Sequence, residues 1–432
     1  MLRKRLQLGL IHVAVAMTLV PINSTLNRVM IKELGIAATV VAVLASVPYL
    51  FSPLQVAIGS YSDQHPILGF RRTPYILLGL VLCATGLVVS PQIAFLMSGN
   101  PVLGLLFAAL AFGAWGMGYN LASVSYLALA AELSGEKERG KTIAVMWFMM
   151  IVSIIFTAIA IGRMVEPYSP AALQRAFWLV GAAALFLGLI GLVGMERRSY
   201  STDASRAENH NFKEMAAVIL KSRQATRFFW YLTLLLAAIL GQDVLLEPFA
   251  AETFGMTVQQ TTRITSVWGT AVLLTILLAG ALERRVPRKT LAQFGNISAL
   301  AGFLVILISG LLANTSIFWL GVLLLGGGTG LATVANLALM FDLTLPGYAG
   351  LFIGAWGVSN ALSRLIGTLM AGIVRDAVTG LTRNAESGYL VVFGLEALML
   401  VAAVVMLVSI DVDSFHKQVE SPSAVERIAL AD

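Results

Sequence analysis

Arg364 and Glu396 each lie deep inside a long apolar run. A charge at the centre of a lipid layer costs roughly 2.5–3.5 kcal/mol on insertion scales, so each needs a partner or a task. At about 1.5 Å per residue from the inner end of its run, Arg364 sits about 22 Å deep and Glu396 about 21 Å. Equal depth on consecutive runs predicts an Arg364–Glu396 ion pair. It either ties two helices together or offers a ligand carbonyl or carboxylate a site. Asn360, Ser363 and Gly367 share the Arg364 face at spacings of three and four, so Asn360 joins the candidate ligand set. Asp243 and Glu247 stand i, i+4 on one helix face. They are candidates for proton or cation coupling, or else two carboxylates in contact with water beside Pro248. The first-half counterpart of Glu247 is Asn27, so no symmetric carboxylate pair exists. His12, Asn23 and Asn27 fall within about 60° of one another at about 100° per residue. His12, the one histidine inside an apolar run, is a ligand or a hydrogen-bonding link between helices. Trp115, Tyr119, Ser123 and Tyr126 form a stripe beside Gly113, Gly116 and Gly118. Glycines admit a neighbouring helix or a flat ligand, so the stripe is core or the wall of a pocket.

The elements that carry these residues are dictated by composition. Of 432 residues, 58% are hydrophobic and 12% charged, with a mean hydropathy of +0.84. A soluble domain carries roughly 25% charged residues, so this chain is built for lipid. The net charge of +6 does not mark a nucleic-acid binder, because the basic residues lie in short loops rather than on one patch. A single cysteine, Cys83, excludes a disulfide within the chain and a cysteine metal site. No G-x-S-x-G, paired-histidine metal motif or phosphate-cradling loop is present, so neither an enzyme nor a catalytic cofactor is expected.

About 20 apolar residues cross the hydrocarbon layer. Runs of that kind cover 6–31, 37–60, 74–96, 101–131, 140–162, 174–195, 228–250, 262–283, 289–312, 316–341, 349–374 and 389–410. The first is too long for a signal-peptide core and lacks a small-residue cleavage site, so it reads as a retained span. The predicted fold is an all-α membrane protein of twelve transmembrane helices in two pseudo-symmetric six-helix halves. The halves are 1–195 and 228–410, with a linker at 196–227 and a polar tail at 411–432. With the N-terminus inside, inner segments hold 21 Lys and Arg and outer segments seven. That bias places both termini in the cytoplasm. The halves repeat. Gly116 and Gly118 match Gly326 and Gly328, and Glu132-Leu133 matches Asp342-Leu343, at one offset of 210. A charged loop at Gly59–Ile76 has a weaker copy at Gly280–Lys289.

That first loop reads G-S-Y-S-D-Q-H-P-I-L-G-F-R-R-T-P-Y-I. It resembles the major facilitator signature between helices two and three, and Glu132 with Arg139-Gly140 resembles the matching signature between helices four and five. The form S-D-x-x-P-x-x-G-x-R-R-x-P-Y-I is similar to the bacteriochlorophyll delivery branch, the PucC type. Sugar/cation symporters and pterin transporters share parts of it. The likeness to the PucC type extends over most of the chain, including Gly113–Tyr126 and Phe352–Gly367. The resemblance implies a conformational latch of Gly59, Asp63, Arg71, Arg72, Glu132 and Arg139. It implies a protein of the inner or intracytoplasmic photosynthetic membrane that binds (bacterio)chlorophyll or its precursors. Pigment would pass to light-harvesting or reaction-centre polypeptides, or to chlorophyll synthase-type enzymes. In such a protein His12 is the natural candidate for an axial ligand to the pigment magnesium, with Asn23, Asn27, Trp115, Tyr119, Asn360, Arg364 and Glu396 as further contacts. Two alternatives stand beside it: a proton- or cation-coupled carrier of a small solute, resting on Asp243 and Glu247, and a membrane scaffold that transports nothing.

Overall fold

The computed structural model describes residues 2–51, 54, 58, 61–62, 64–196, 198, 223–282, 285–343 and 349–411, with the backbone alone at 136–137 and 349–355. In chain order the helices are α1 Leu2–Glu33, α2 Ala38–Leu50, α3 Thr73–Gly99, α4 Pro101–Gly135, α5 Glu138–Met164 and α6 Pro170–Leu192. The second half supplies α7 Arg223–Val244, α8 Val258–Leu282, α9 Arg288–Leu311, α10 Thr315–Asp342, α11 Ala349–Thr382 and α12 Ala385–Val408. Each expected span meets one of these helices. Eleven are long and apolar enough to cross a membrane, and α2 is shorter. The chain is an integral membrane protein, helical throughout its described residues apart from turns and one isolated bridge, Ile67–Phe70.

Local chemistry sets the helix ends. Asn100 accepts from the Leu103 amide at 3.2 Å and Pro101 opens α4. Ser169 caps α6 through Ala172 at 3.1 Å, again with proline next. Proline suits the first helical position because its missing N–H has no partner to lose there. α4 and α5 part at Gly135, whose φ of 62° suits a residue without Cβ.

Two departures from regular helix bear on the site. α1 widens into π turns at Pro21–Leu26 and Val29–Glu33, beginning at a proline that cannot donate to the preceding turn. α7 tightens into a 3₁₀ turn at Gln242–Val244, and a short helix, Leu246–Phe254, follows. Pro248 explains that break, since its ring clashes with the carbonyl four residues back.

The chain divides into two compact units. One holds Met1–Ala207, Gln242–Thr270 and Thr368–Val391; the other holds Glu208–Gly241, Ala271–Gly367 and Val392–Asp432. This partition is not the sequence repeat, for α7, α8, α11 and α12 contribute to both. In the first unit Leu8, Ile11 and Val15 of α1 pack with Ile76 and Leu80 of α3 and with Tyr126 and Leu129 of α4. Lipid tails are as apolar as leucine, so close packing, not transfer from water, holds these faces together. The repeat appears as contact. A Cβ on Gly118 of α4 would stand 2.6 Å from the Gly79 carbonyl oxygen of α3. In the second unit a Cβ on Gly328 of α10 would stand 2.6 Å from the Gly295 carbonyl oxygen of α9.

Candidate functional site

His12 is 6% exposed on α1. Its ring lies 5.1 Å from Tyr126 of α4 and 6.1 Å, edge to face, from Trp147 of α5. Nδ1 is buried and finds no hydrogen-bond partner among the described residues. The Trp147 indole is 48% exposed. The cluster is therefore an orphaned imidazole nitrogen flanked by two aromatic faces, one of them open on the surface of α5.

The other residues of that set are placed elsewhere. Asn23 and Asn27 lie about 16 and 22 Å along α1 from His12 at about 1.5 Å per residue. The π turns also interrupt the 100° progression that put the three on one face. Asn27 is buried and its amide donates to the Asn23 carbonyl at 2.8 Å. Trp115 is 1% exposed and its indole N–H donates to Thr18 of α1 at 3.0 Å, so it binds helix to helix. Tyr119, tilted 6.3 Å from Trp115, is packed against the same core as Tyr126.

At the loop before α3, Arg72 is buried, pairs with Glu132 at 2.9 Å and donates to the Ser62 hydroxyl at 2.8 Å. Sequence reasoning missed Glu196, just beyond α6. Its carboxylate accepts from the backbone N–H groups of Arg71 at 2.7 Å, Arg72 at 3.1 Å and Thr73 at 2.7 Å, and from the Thr73 hydroxyl at 2.7 Å. An anion at a helix N-terminus satisfies orphan donors and meets the positive end of the dipole. Arg139 is exposed on α5, while its neighbour Glu138 pairs with Arg5 and with Lys141. Gly59 and Asp63 lie outside the described residues.

Asp243 and Glu247 do not share a helix face, because the 3₁₀ turn separates them. Asp243, half-buried, accepts from Gln242 at 2.8 Å. Glu247 is 4% exposed. Its Oε1 accepts from the Ser24 hydroxyl of α1 and from Thr265 of α8 at 2.9 Å. Arg28 of α1 pairs with Glu33 at 2.5 Å and donates to the Met256 carbonyl at 3.3 Å. It also lines a cavity of about 380 Å³ with Lys32, Glu33, Glu166, Tyr168 and Glu252.

In the second unit Glu396 of α12 is fully buried. Its Oε1 stands 2.7 Å from where a Cβ on Gly241 of α7 would be, so glycine makes room for the carboxylate. Arg364 is half-buried and Asn360 exposed on α11. The same unit holds a buried polar triad: Tyr231 donates to Asn336 at 2.8 Å and accepts from Asn296 at 2.9 Å. Two asparagines inside apolar runs were its signal.

The family described as PUCC protein matches residues 25–415. Protein PucC of Cereibacter sphaeroides is 32% identical over 419 residues, 94% of this chain and 91% of that one. The bacteriochlorophyll synthase 44.5 kDa chain of Rhodobacter capsulatus is 27% identical over 412 residues, 93% of each. A crystal structure of a mutant of the nucleoside transporter NupG aligns with a TM-score of 0.76 at 13% identity, over 94% of this chain and 99% of that one. At that identity the likeness shows the fold alone, that of the major facilitator transporters. By the extent of the family match and the identity to its relatives, this chain belongs to the PUCC protein family.

Proposed function

We propose that the chain serves assembly of the photosynthetic apparatus by binding (bacterio)chlorophyll or a precursor and handing it on. The receivers are light-harvesting or reaction-centre polypeptides, or pigment-synthesis enzymes. The observation that carries the reading is the His12–Tyr126–Trp147 cluster. A chlorin magnesium accepts an axial nitrogen ligand, and a buried imidazole nitrogen without a hydrogen-bond partner fits that demand. Tyr126 and Trp147 offer flat faces to a macrocycle, and the exposed Trp147 leaves a way in from the lipid side. A relative bearing the printed name bacteriochlorophyll synthase 44.5 kDa chain supports the pigment class. On this reading the protein is not an enzyme. It lies in the inner or intracytoplasmic photosynthetic membrane with both termini in the cytoplasm, a placement that the uneven distribution of Lys and Arg supports.

The test is complementation of a phototrophic host deleted for this gene. Wild type restores antenna absorption; His12→Ala, present at equal level in the membrane, restores little of it. Full restoration by His12→Ala refutes the assignment. A second reading, coupled carriage of a small solute, is favoured by the burial of Glu247. Proton-driven uptake of a solute into vesicles, unaffected by pigment, would select it.

A further inference from the structure

Glu247 lies outside the pigment cluster and has no part in the pigment reading; a role for it deepens the second reading, coupled carriage, and stands or falls apart from the first. The short helix that carries it follows the break in α7, and the stretch of α1 that bears Ser24 is wound as a π helix. Single π turns inside α-helices recur at functional sites. The carboxyl group is 4% exposed. Both of its hydroxyl donors, Ser24 and Thr265, serve the same oxygen, Oε1. Oε2 is buried and has no hydrogen-bond partner among the described residues. Thr25 Oγ1 and Asn27 Oδ1, each within one turn of Ser24, are in the same condition. An ionised carboxylate has about four acceptor positions to fill, and leaving one oxygen bare in a dry site is costly. The neutral carboxyl group has a smaller cost there.

Arg28 is buried on α1, four residues beyond the hydroxyl donor Ser24. Its charge is shared with Glu33 and with the Met256 carbonyl. The other titratable groups on the surrounding elements include Lys32 on α1, whose Arg3, Lys4, Arg5 and His12 lie at least twelve residues before Ser24, Tyr49 on α2, Arg263 on α8, Asp243 and the group of Glu252 with Arg375, Asp376 and Tyr389. In that last group Arg375 bridges Glu252 at 3.2 Å and Asp376 at 2.9 Å. Arg28 also lines the cavity of about 380 Å³, as does Ala251, one turn along the short helix from Glu247.

We infer that Glu247 is a proton-binding site, held between α1 and α8 and exchanging its proton with water of the cavity that Arg28 lines. On loading, one O–H bond forms on Oε2, hydronium in the cavity becomes water, and the charge of the cluster rises by one. A hard metal cation asks for about six or more oxygen ligands; a proton asks for one, which is what Oε2 supplies.

Infrared difference spectra between acid and alkaline buffer, taken on the full chain in lipid nanodiscs, test this. A protonated-carboxyl C=O band that titrates, shifts in deuterated water, disappears in Glu247→Gln and survives in Asp243→Asn is the expected result. Glu247→Asp keeps the carboxyl group and is expected to move the band, so the test stands even where the Gln variant folds poorly. Identical difference spectra in wild type and Glu247→Gln overturn the inference. So does a Glu247-dependent change that follows sodium at constant pH and not pH itself.

Discussion

Replacing Glu196 by alanine strips the N-terminus of α3 of its anion. The carboxylate accepts from four donors, three of them consecutive backbone N–H groups at 2.7–3.2 Å. Hydrogen bonds to a charged group contribute about 1.5–3 kcal/mol each, and a helix N-terminus adds about 0.3–1 kcal/mol to an anion. Glu196 is half-buried, so water re-solvates part of what alanine exposes, and the loss is about 2–3 kcal/mol rather than the sum of the parts. At about 1.4 kcal/mol per tenfold, the first turn of α3 then opens roughly 30- to 150-fold more often. Hydrogen exchange read by mass spectrometry on the peptide spanning Arg71–Ile76 measures this. Glu196→Ala raises exchange of the Arg71–Thr73 amides by that factor, and Glu196→Gln, which keeps a neutral acceptor, by about its square root. The first turn of α9 is unchanged in both. A rise of less than threefold in the alanine variant refutes the reasoning.

Gly118→Leu drives a side chain into the Gly79 carbonyl of α3 and is expected to cost about 3 kcal/mol, the upper end of overpacking, as a lower unfolding midpoint in micelles. Gly113→Ala, with nothing within 4 Å of the new Cβ, leaves that midpoint unchanged. Tyr231→Phe removes the hydroxyl that joins Asn296 to Asn336 and is expected to destabilise by about 1–3 kcal/mol, seen in the same unfolding assay.

The spans were legible because lipid leaves helices little choice, whereas the caps at Asn100-Pro101 and Ser169-Pro170 came from the structure. The break in α7 was legible in Pro248 yet overlooked, and with it the separation of Asp243 from Glu247. The π turns of α1 were not legible, for a shift from four- to five-residue bonding has no residue signature beyond Pro21. Long-range partners were out of reach for a different reason. Glu196 meets Thr73 across 123 residues, and Ser24 meets Glu247 across 223. Periodicity names the face of a helix, not the helix it will meet. Trp115 shows the limit most clearly: its stripe fitted a pocket wall as well as a core, and only the bond to Thr18 distinguishes them.

The absorption spectrum of the protein purified in mild detergent from a phototrophic membrane tests the central claim most directly. The account predicts a stoichiometric chlorophyll-type band that weakens in His12→Ala and in Trp147→Ala while the protein stays folded. A colourless protein from a pigment-replete host, or a band indifferent to His12, would contradict it.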